Sequence, residues 1–428
     1  MNLTPEQMAK GRRSFLKAIA GVPAVAALGA SSMMRGPVKG GRVRVGFIGV
    51  GGQGRALLSR IDPSVVEVVA MADIRPDSLA AADAVLRAIG QPGATHYVEY
   101  KDMLERETIE GIITAPPLWM HDEIATACLD AGKHVLCEKM IAKTRDGYQR
   151  MIDAAKRNDK VLEVGYQRNY NPIYRSAYEG VMKTGALGDV YHVRLAWMRN
   201  GNWRRTAGPP SKDFDPSPWG YPTWDHLNNW RLYWKYSEGL FCELGSHQVN
   251  ATNWFLGAEP TRVQAMGGIY RFKDGREVPD HVYATFEYPG GITGTFSSIE
   301  SNAFDEHYEA FFGTKATLII RNEDDAMLFD EGDARGTGID VTPKGAGAAL
   351  KTSETKPLQA GGHATAKAQQ TKAAVKAISP STYEINGWAS AIRTASALRV
   401  TPEVASHSAR WTIAANEAMK TGRIVDIH

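Results

Sequence analysis

The sequence predicts an α/β protein of two domains: an N-terminal doubly wound parallel sheet, then a C-terminal α/β domain on a largely antiparallel open sheet. Short β-branched runs alternate with helical segments from Arg42 to residue 165, and such alternation builds a parallel sheet with right-handed crossovers. A glycine cluster, GVGGQG at 49–54, stands between the first strand and the first helix of that series. After Tyr166 the rhythm changes to strands with period-two alternation, the pattern of a sheet that buries one face.

The elements follow in order. VRVGFI leads into the glycines, and RALLSRI after them has helical spacing. A second strand, VVEVVAMAD, closes at Asp73 and precedes the helical DSLAAADAVLRAIG. Strand GIITAPP at 111–117, a helix at 121–132, strand HVLCEK, a helix near 144–158 and strand VLEVGY complete a first domain at 42–165. The second domain, 166–330, opens with a helix at 171–184, and strands are expected at 189–198, 261–270, 280–288, 292–299, 307–312 and 315–320. Residues 331–378 are rich in Gly, Ala, Lys, Thr and Gln without an apolar period, which reads as a low-complexity loop. The last segment, 379–428, holds two helices with apolar faces that pack back on the core.

Ahead of the first strand, GRRSFLKAIAGVPAVAALGA joins Arg12-Arg13 to an apolar run from Ala18 to Ala30. That run is shorter than the ~20 residues a membrane span requires. Residues 1–35 are therefore expected to be a twin-arginine export signal, which carries a folded, cofactor-loaded protein to the periplasm or otherwise out of the cytoplasm. With 50 basic and 47 acidic residues the net charge is only +3, which leaves no electrostatic footprint for nucleic acid and points to small-molecule partners. Cys128, Cys137 and Cys242 form no CxxC pair, and no His cluster has ligand spacing, so neither a metal site nor a disulfide framework is expected.

Gly49-Val50-Gly51-Gly52-Gln53-Gly54 fits G-x-G-x-x-G, follows a strand, opens a helix and lies 24 residues before Asp73. In that context it is a dinucleotide fingerprint. Gly49 permits the tight turn, Gly51 lets the backbone approach a pyrophosphate, Gly54 lets helix and strand pack, and Gly52 and Gln53 complete the loop. Asp73 can accept hydrogen bonds from both ribose hydroxyls and would repel a 2′-phosphate, favouring NAD over NADP. Arg75 leaves NADP open, because it could meet a 2′-phosphate or lie over the adenine.

Two further stretches carry chemistry. HVLCEKM places Glu138-Lys139 at the carboxyl edge of a parallel strand, where such sheets bind ligands. SEGLFCELGSHQVNATNWFLG reads as one helix to Gly257, with Glu243 and His247 four residues apart on one face. A carboxylate beside an imidazole orients the ring and raises its basicity, as a general base for an alcohol proton needs.

With these motifs in order, together with Pro116 to His121 and GALGDV at 185–190, the chain resembles the glucose–fructose oxidoreductase, inositol dehydrogenase and rhizopine-catabolism (Gfo/Idh/MocA) family. The resemblance implies a Rossmann domain followed by an open-sheet α/β domain. It implies that Lys139 contacts the substrate hydroxyl and the nicotinamide side, that His247 is the acid/base, and that Pro116, His121 and Glu138 belong to the cofactor site. It also implies a homo-oligomer, dimer or tetramer, formed through the second-domain sheet. Two positions depart from the family pattern. Met140 replaces the usual proline after the lysine, and Glu243 stands where Asp is common, a methylene longer and able to point at the ligand instead of at His247.

Six of the ten tryptophans lie between Trp197 and Trp234, among Asn, Arg, Pro and Tyr. Flat aromatic faces beside polar groups suit carbohydrate rings, and they equally suit a subunit interface. Candidate substrate contacts are Arg168, Trp203, Asn229 and Arg231, with Arg204, Arg205 and Asn228 beside them. The reading is an NAD(P)-dependent oxidoreductase for a secondary alcohol of a sugar, cyclitol or glycoside, with a tightly bound cofactor recycled internally because export separates it from the nicotinamide pool. One alternative is an NAD-dependent glycosidase working by oxidation, elimination, addition and reduction. Another is a non-catalytic ligand-binding relative.

Overall fold

The computed structural model describes residues 3–23, 40–331, 340–344, 347–351 and 378–428. The chain enters through α1, Pro5–Ala20, whose start is fixed by a capping box between Thr4 and Gln7. This helix docks on the second domain: Phe15 is buried in that domain's core, Gly11 lies against Met327 and Phe329, and Arg12 makes two hydrogen bonds of 2.6 Å to Asp325. Arg13 is exposed. Most of the expected apolar run beyond Ala18 lies outside the described residues.

Six strands form the first sheet: β1 (Val43–Ile48), β2 (Val66–Ala72), β3 (Thr95–Tyr97), β4 (Gly111–Thr114), β5 (His134–Glu138) and β6 (Leu162–Gly165). All pair in parallel in the order β3-β2-β1-β4-β5-β6. Val43, Val45, Phe47, Val68 and Ile113 are all buried, as apolar residues are in strands covered on both faces. The connecting helices are α2 (Gly52–Leu58), α3 (Pro76–Ala88), α4 (Tyr100–Arg106), α5 (His121–Asp130) and α6 (Arg145–Arg157). Strand order reverses between β1 and β4, which opens a crevice at their carboxyl ends.

The second domain begins with α7 (Pro172–Ala177), which widens into a π-helical turn at Tyr178–Met182 where an unbroken helix was expected. Its sheet contains β7 (Val190–Asn200), β8 (Arg262–Gly268), β9 (His281–Glu287), β10 (Thr293–Ile299), β11 (Ser301–Gly313), β12 (Ala316–Arg321) and β13 (Asp325–Asp330). The order is β13-β12-β11-β7-β10-β9-β8, and only β7 and β10 run parallel. Alternate residues of β9 are buried, so one face is packed and the other open. Within the stretch read as a loop, Asp340–Lys344 and Gly347–Lys351 form a two-stranded antiparallel ladder, β14 and β15.

The short helix α8 (Trp224–Asn228) lies in the aromatic segment, and α9 (Ser246–Leu256) lies on the packed face, where Gln248 Nε2 donates to the carbonyls of Ala196 and Tyr308. The last two helices separate. α10 (Pro380–Thr394) returns to the first domain, where Trp388 rests on Gly111 of β4. α11 (Pro402–Thr421) stays with the second, where Trp411 meets Phe241, Phe286 and Phe296 edge-on. Val425–Asp426, β16, then pairs with β8 at the sheet's far edge.

Candidate functional site

A cleft of about 800 Å³ follows the crevice and is lined from both domains. The glycine loop forms one wall. Gly49 has φ +80°, and a Cβ there would stand 2.8 Å from the Ala115 carbonyl carbon. At Gly54 a Cβ would overlap the carbonyl oxygen of Gly49, whereas at Gly51 it would meet nothing within 4 Å. Two glycines thus shape the turn, and the third leaves open space above the backbone. Gly52 also lines the cleft, and Gln53 reaches across it, its Nε2 donating to Glu138 Oε1 at 2.6 Å.

At the loop's β2 side, Asp73 Oδ2 accepts from the Val50 N–H at 2.8 Å and Oδ1 from the Arg75 N–H at 2.9 Å. Burial lifts its carboxyl to about 6 against the opposing pull of these two bonds. The Arg75 guanidinium pairs with Asp77 and lies 4.8 Å from the Trp224 ring centre, so it is engaged by neighbours on both sides.

On the other side of the reversal, His121 Nδ1 stands 2.8 Å from the Met140 carbonyl and Nε2 3.2 Å from that of Pro116. Both ring nitrogens meet main chain, so His121 pins the Pro116 turn to the Lys139-Met140 segment. Burial holds its pKa below the ordinary value. The Lys139–Met140 peptide is cis. Glu138 Oε2 accepts from the Lys139 N–H at 3.0 Å, and burial raises its carboxyl.

Lys139, Glu243 and His247 converge on this end. Lys139 Nζ donates to the Glu243 carbonyl at 3.1 Å and lies 3.8 Å from Glu243 Oε2, which also accepts from Arg231 Nε at 2.9 Å. Burial opposes the Glu243 charge, yet Lys139 and Arg231 together hold its pKa below the ordinary value. The expected pairing of Glu243 with His247 is corrected: no hydrogen bond joins them. Glu243 sits in a π-helical turn, Phe241–Gly245, that precedes α9 in place of the continuous helix, and π turns recur at functional sites. Its carboxylate goes to the two cations. His247 stands between the rings of Tyr166 and Trp197, and its Nδ1 is buried without a partner. Burial, then Lys139, Arg168 and His307, push its pKa well below 6.5.

The four substrate candidates divide. Trp203 and Arg231 line the cleft, Trp203 with φ +58°. Asn229 lines it too, but its amide is spent on Asp225 and on both main-chain polar groups of Arg205. That leaves the Arg205 guanidinium about 4.0 Å from a Cβ built on Gly52. Arg168 is not in the cleft: it is fully buried, paired with Glu309 and Glu323, with its guanidinium 5.0 Å from Trp197 and 5.6 Å from Tyr174. Arg204 is likewise drawn away, to Asp225 and Asp274. Of the six clustered tryptophans, Trp197, Trp203, Trp219 and Trp230 line the cleft. Sequence reasoning missed Arg199, Ser381 and Glu384; the last two arrive on α10, which carries no motif. Among the described residues no group of His, Cys, Asp or Glu is placed to hold a metal ion, and no helix is long and apolar enough to cross a membrane.

The residues present fit a dinucleotide: open backbone at Gly51, a carboxylate at the end of β2, and polar side chains at the far end. Comparison with known proteins agrees. The profile of the oxidoreductase family with an NAD-binding Rossmann fold matches residues 43–166, and that of the GFO/IDH/MocA C-terminal domain matches 177–319. The chain is 23% identical over 304 residues to myo-inositol 2-dehydrogenase of Thermotoga maritima, covering 69% of this chain and 80% of that protein. It is 28% identical over 218 residues to a glycosyl hydrolase family 109 protein of Shewanella pealeana, covering 50% and 44%. The fold is shared with the WlbA dehydrogenase of Bordetella pertussis, solved with NADH and UDP-GlcNAcA, at TM-score 0.66 and 18% identity over 90% of this chain and 99% of that one. The chain therefore belongs to the Gfo/Idh/MocA oxidoreductase family, and its first domain is an NAD-binding Rossmann domain.

Proposed function

We propose that the protein oxidises a secondary alcohol of a sugar, cyclitol or glycoside, keeping its NAD and restoring it within each cycle. The observation that carries this reading is the convergence of Lys139, Glu243 and His247 at one end of a cleft whose other end has the dinucleotide fingerprint. When bound, NAD supplies the acceptor for the hydride of the carbinol carbon. His247, which lines the cleft, accepts the hydroxyl proton, and its lowered pKa keeps the ring neutral and ready for that proton. Lys139, braced by Glu243, donates to the same oxygen and favours its developing negative charge. Trp197, Trp203 and Trp230 offer flat faces for a sugar ring.

Tight retention is supported by Arg205, held by Asn229 above the glycine loop. Export by the twin-arginine route, supported by Arg12-Arg13, would make that retention necessary. Association of copies through the open face of the second sheet is supported by exposed Met266 and Tyr283, register partners on β8 and β9.

Native mass spectrometry of the purified protein should find one dinucleotide per chain, and turnover of an alcohol should require a carbonyl co-substrate but no added NAD. Rapid exchange with free NAD would overturn the closed cycle. Release of aglycone from an aryl glycoside without net NADH would replace this reading with the glycosidase cycle.

Asp73 sets a pH dependence. Burial lifts its carboxyl from near 3.8 to about 6, and ribose hydroxyls donate more strongly to the charged form than to the neutral one. Below pH 6 the tight binding mode requires loss of a proton, so NADH affinity should fall by up to about tenfold per pH unit. Fluorescence titrations from pH 7.5 to 5 test this, and Asp73→Asn should bind weakly with a flattened profile.

A further inference from the structure

The cleft contains a buried acid that neither the fingerprint nor the Lys139–His247 cluster uses. Glu384, on α10, is 2% exposed, lines the cleft, and leaves its Oε1 buried with no hydrogen-bond partner. Its helix is firmly placed: Thr382 Oγ1 donates to the Arg60 carbonyl at 2.7 Å, Gly387 packs on the Tyr170 ring, and Ile385 and Trp388 enter the first domain's core. The unpaired oxygen is therefore not the product of a loose segment. A buried polar atom without a partner is costly, and native proteins keep few without a reason. Residue 384 also lies outside both stretches matched by the family profiles, 43–166 and 177–319.

Its position selects the half of the dinucleotide it faces. Asp73, at the end of β2, takes the adenosine ribose, so the rest of the cofactor crosses the reversal toward β4, β5 and β6. Glu384 stands on that far half: three residues along the same helix Gly387 packs on the Tyr170 ring, whose hydroxyl donates to Glu163 Oε1 on β6, the neighbour of β5. We propose that Glu384 recognises the carboxamide of the bound nicotinamide, its carbonyl oxygen accepting from the amide NH₂ and its hydroxyl donating to the amide oxygen. A carboxylic acid and a primary amide are matched for this paired arrangement, each giving one hydrogen and receiving one. Burial, reinforced by Glu163 and Glu138, raises its carboxyl pKa and so favours the protonated form that the pairing uses. The inference rests on the nicotinamide lying at the Lys139 end, as proposed above.

The test compares NADH with ADP-ribose, which lacks only the nicotinamide, on full-length protein freed of dinucleotide by charcoal. Glu384→Ala should bind NADH about tenfold more weakly, the effect of losing one buried hydrogen-bond pair, while its ADP-ribose affinity stays within about twofold of wild type. Glu384→Gln keeps a donor and an acceptor and should hold both ligands as wild type does. Equal losses for NADH and ADP-ribose in Glu384→Ala would make Glu384 a structural group and overturn the proposal. So would unchanged NADH binding in Glu384→Ala, or a Gln variant as weak as the Ala variant. Wild-type protein that bound NADH no better than ADP-ribose would instead overturn the placement of the nicotinamide on which the inference stands.

Discussion

Replacing His247 by Asn is expected to lower kcat by about 10²–10⁴-fold, the range for loss of a general base, with NADH affinity nearly unchanged. The variant keeps a polar side chain between Tyr166 and Trp197 but removes the group that takes the proton. The pH profile gives the sharper check. Burial and the cations Lys139 and Arg168 favour the neutral ring, so the wild-type acid limb should lie below pH 6.5, and it should vanish from the residual activity of His247→Asn. Stability follows the same sign. With the folded pKa below the unfolded one, the unfolded chain binds the extra proton first, so the contribution is intact above pH 6.5 and is lost as pH falls through the folded value. Urea unfolding at pH 7.5 and 5 should therefore show a smaller acid-dependent loss in the Asn variant. An unchanged kcat would remove His247 from the chemistry.

Gly54→Ala should have the second largest effect, and through geometry alone. The added carbon overlaps the Gly49 carbonyl oxygen, and Gly49 cannot retreat because it is itself against Ala115. Overpacking of this kind costs about 1–3 kcal/mol, and displacement of the loop should raise the NADH dissociation constant by more than about 100-fold, read by thermal unfolding and fluorescence titration. Gly51→Ala separates the two contributions. Nothing stands within 4 Å of its added carbon, so the apo protein should keep its melting temperature while NADH affinity falls, because the carbon occupies the space the pyrophosphate needs. Equal melting losses in both variants would show that Gly51, too, serves the fold.

The parallel sheet and its fingerprint were legible because they depend on local signals. A β-branched strand, a glycine turn, a helix and an acidic residue at the next strand end constrain one another within about 25 residues. The π-helical turn at Phe241–Gly245 was not legible: helical periodicity over SEGLFCELGSHQVN is nearly the same with or without one inserted residue. The partner of Glu243 was therefore misassigned, and only the approach of Arg231 and Lys139 decides where its carboxylate goes. The short β3 and β13 escaped detection for a related reason, since three to six residues carry too little period to stand out.

By itself, then, the sequence determined the fold class, the dinucleotide loop, Asp73, and Lys139 and His247 as the residues of chemical interest. The tertiary structure alone decided which polar groups are free to meet a ligand. Arg168 and Arg231 look alike in sequence, yet Glu309 on β11 and Glu323 in the turn between β12 and β13 arrive from more than 140 residues away to bury the first, while the second stays at the cleft. Glu384 gives no sign in a C-terminal helix until folding sets it in the cleft beneath no partner. Availability for binding is a property of what remains after the chain has satisfied its own charges and hydrogen bonds, and that remainder is set by contacts far apart in sequence.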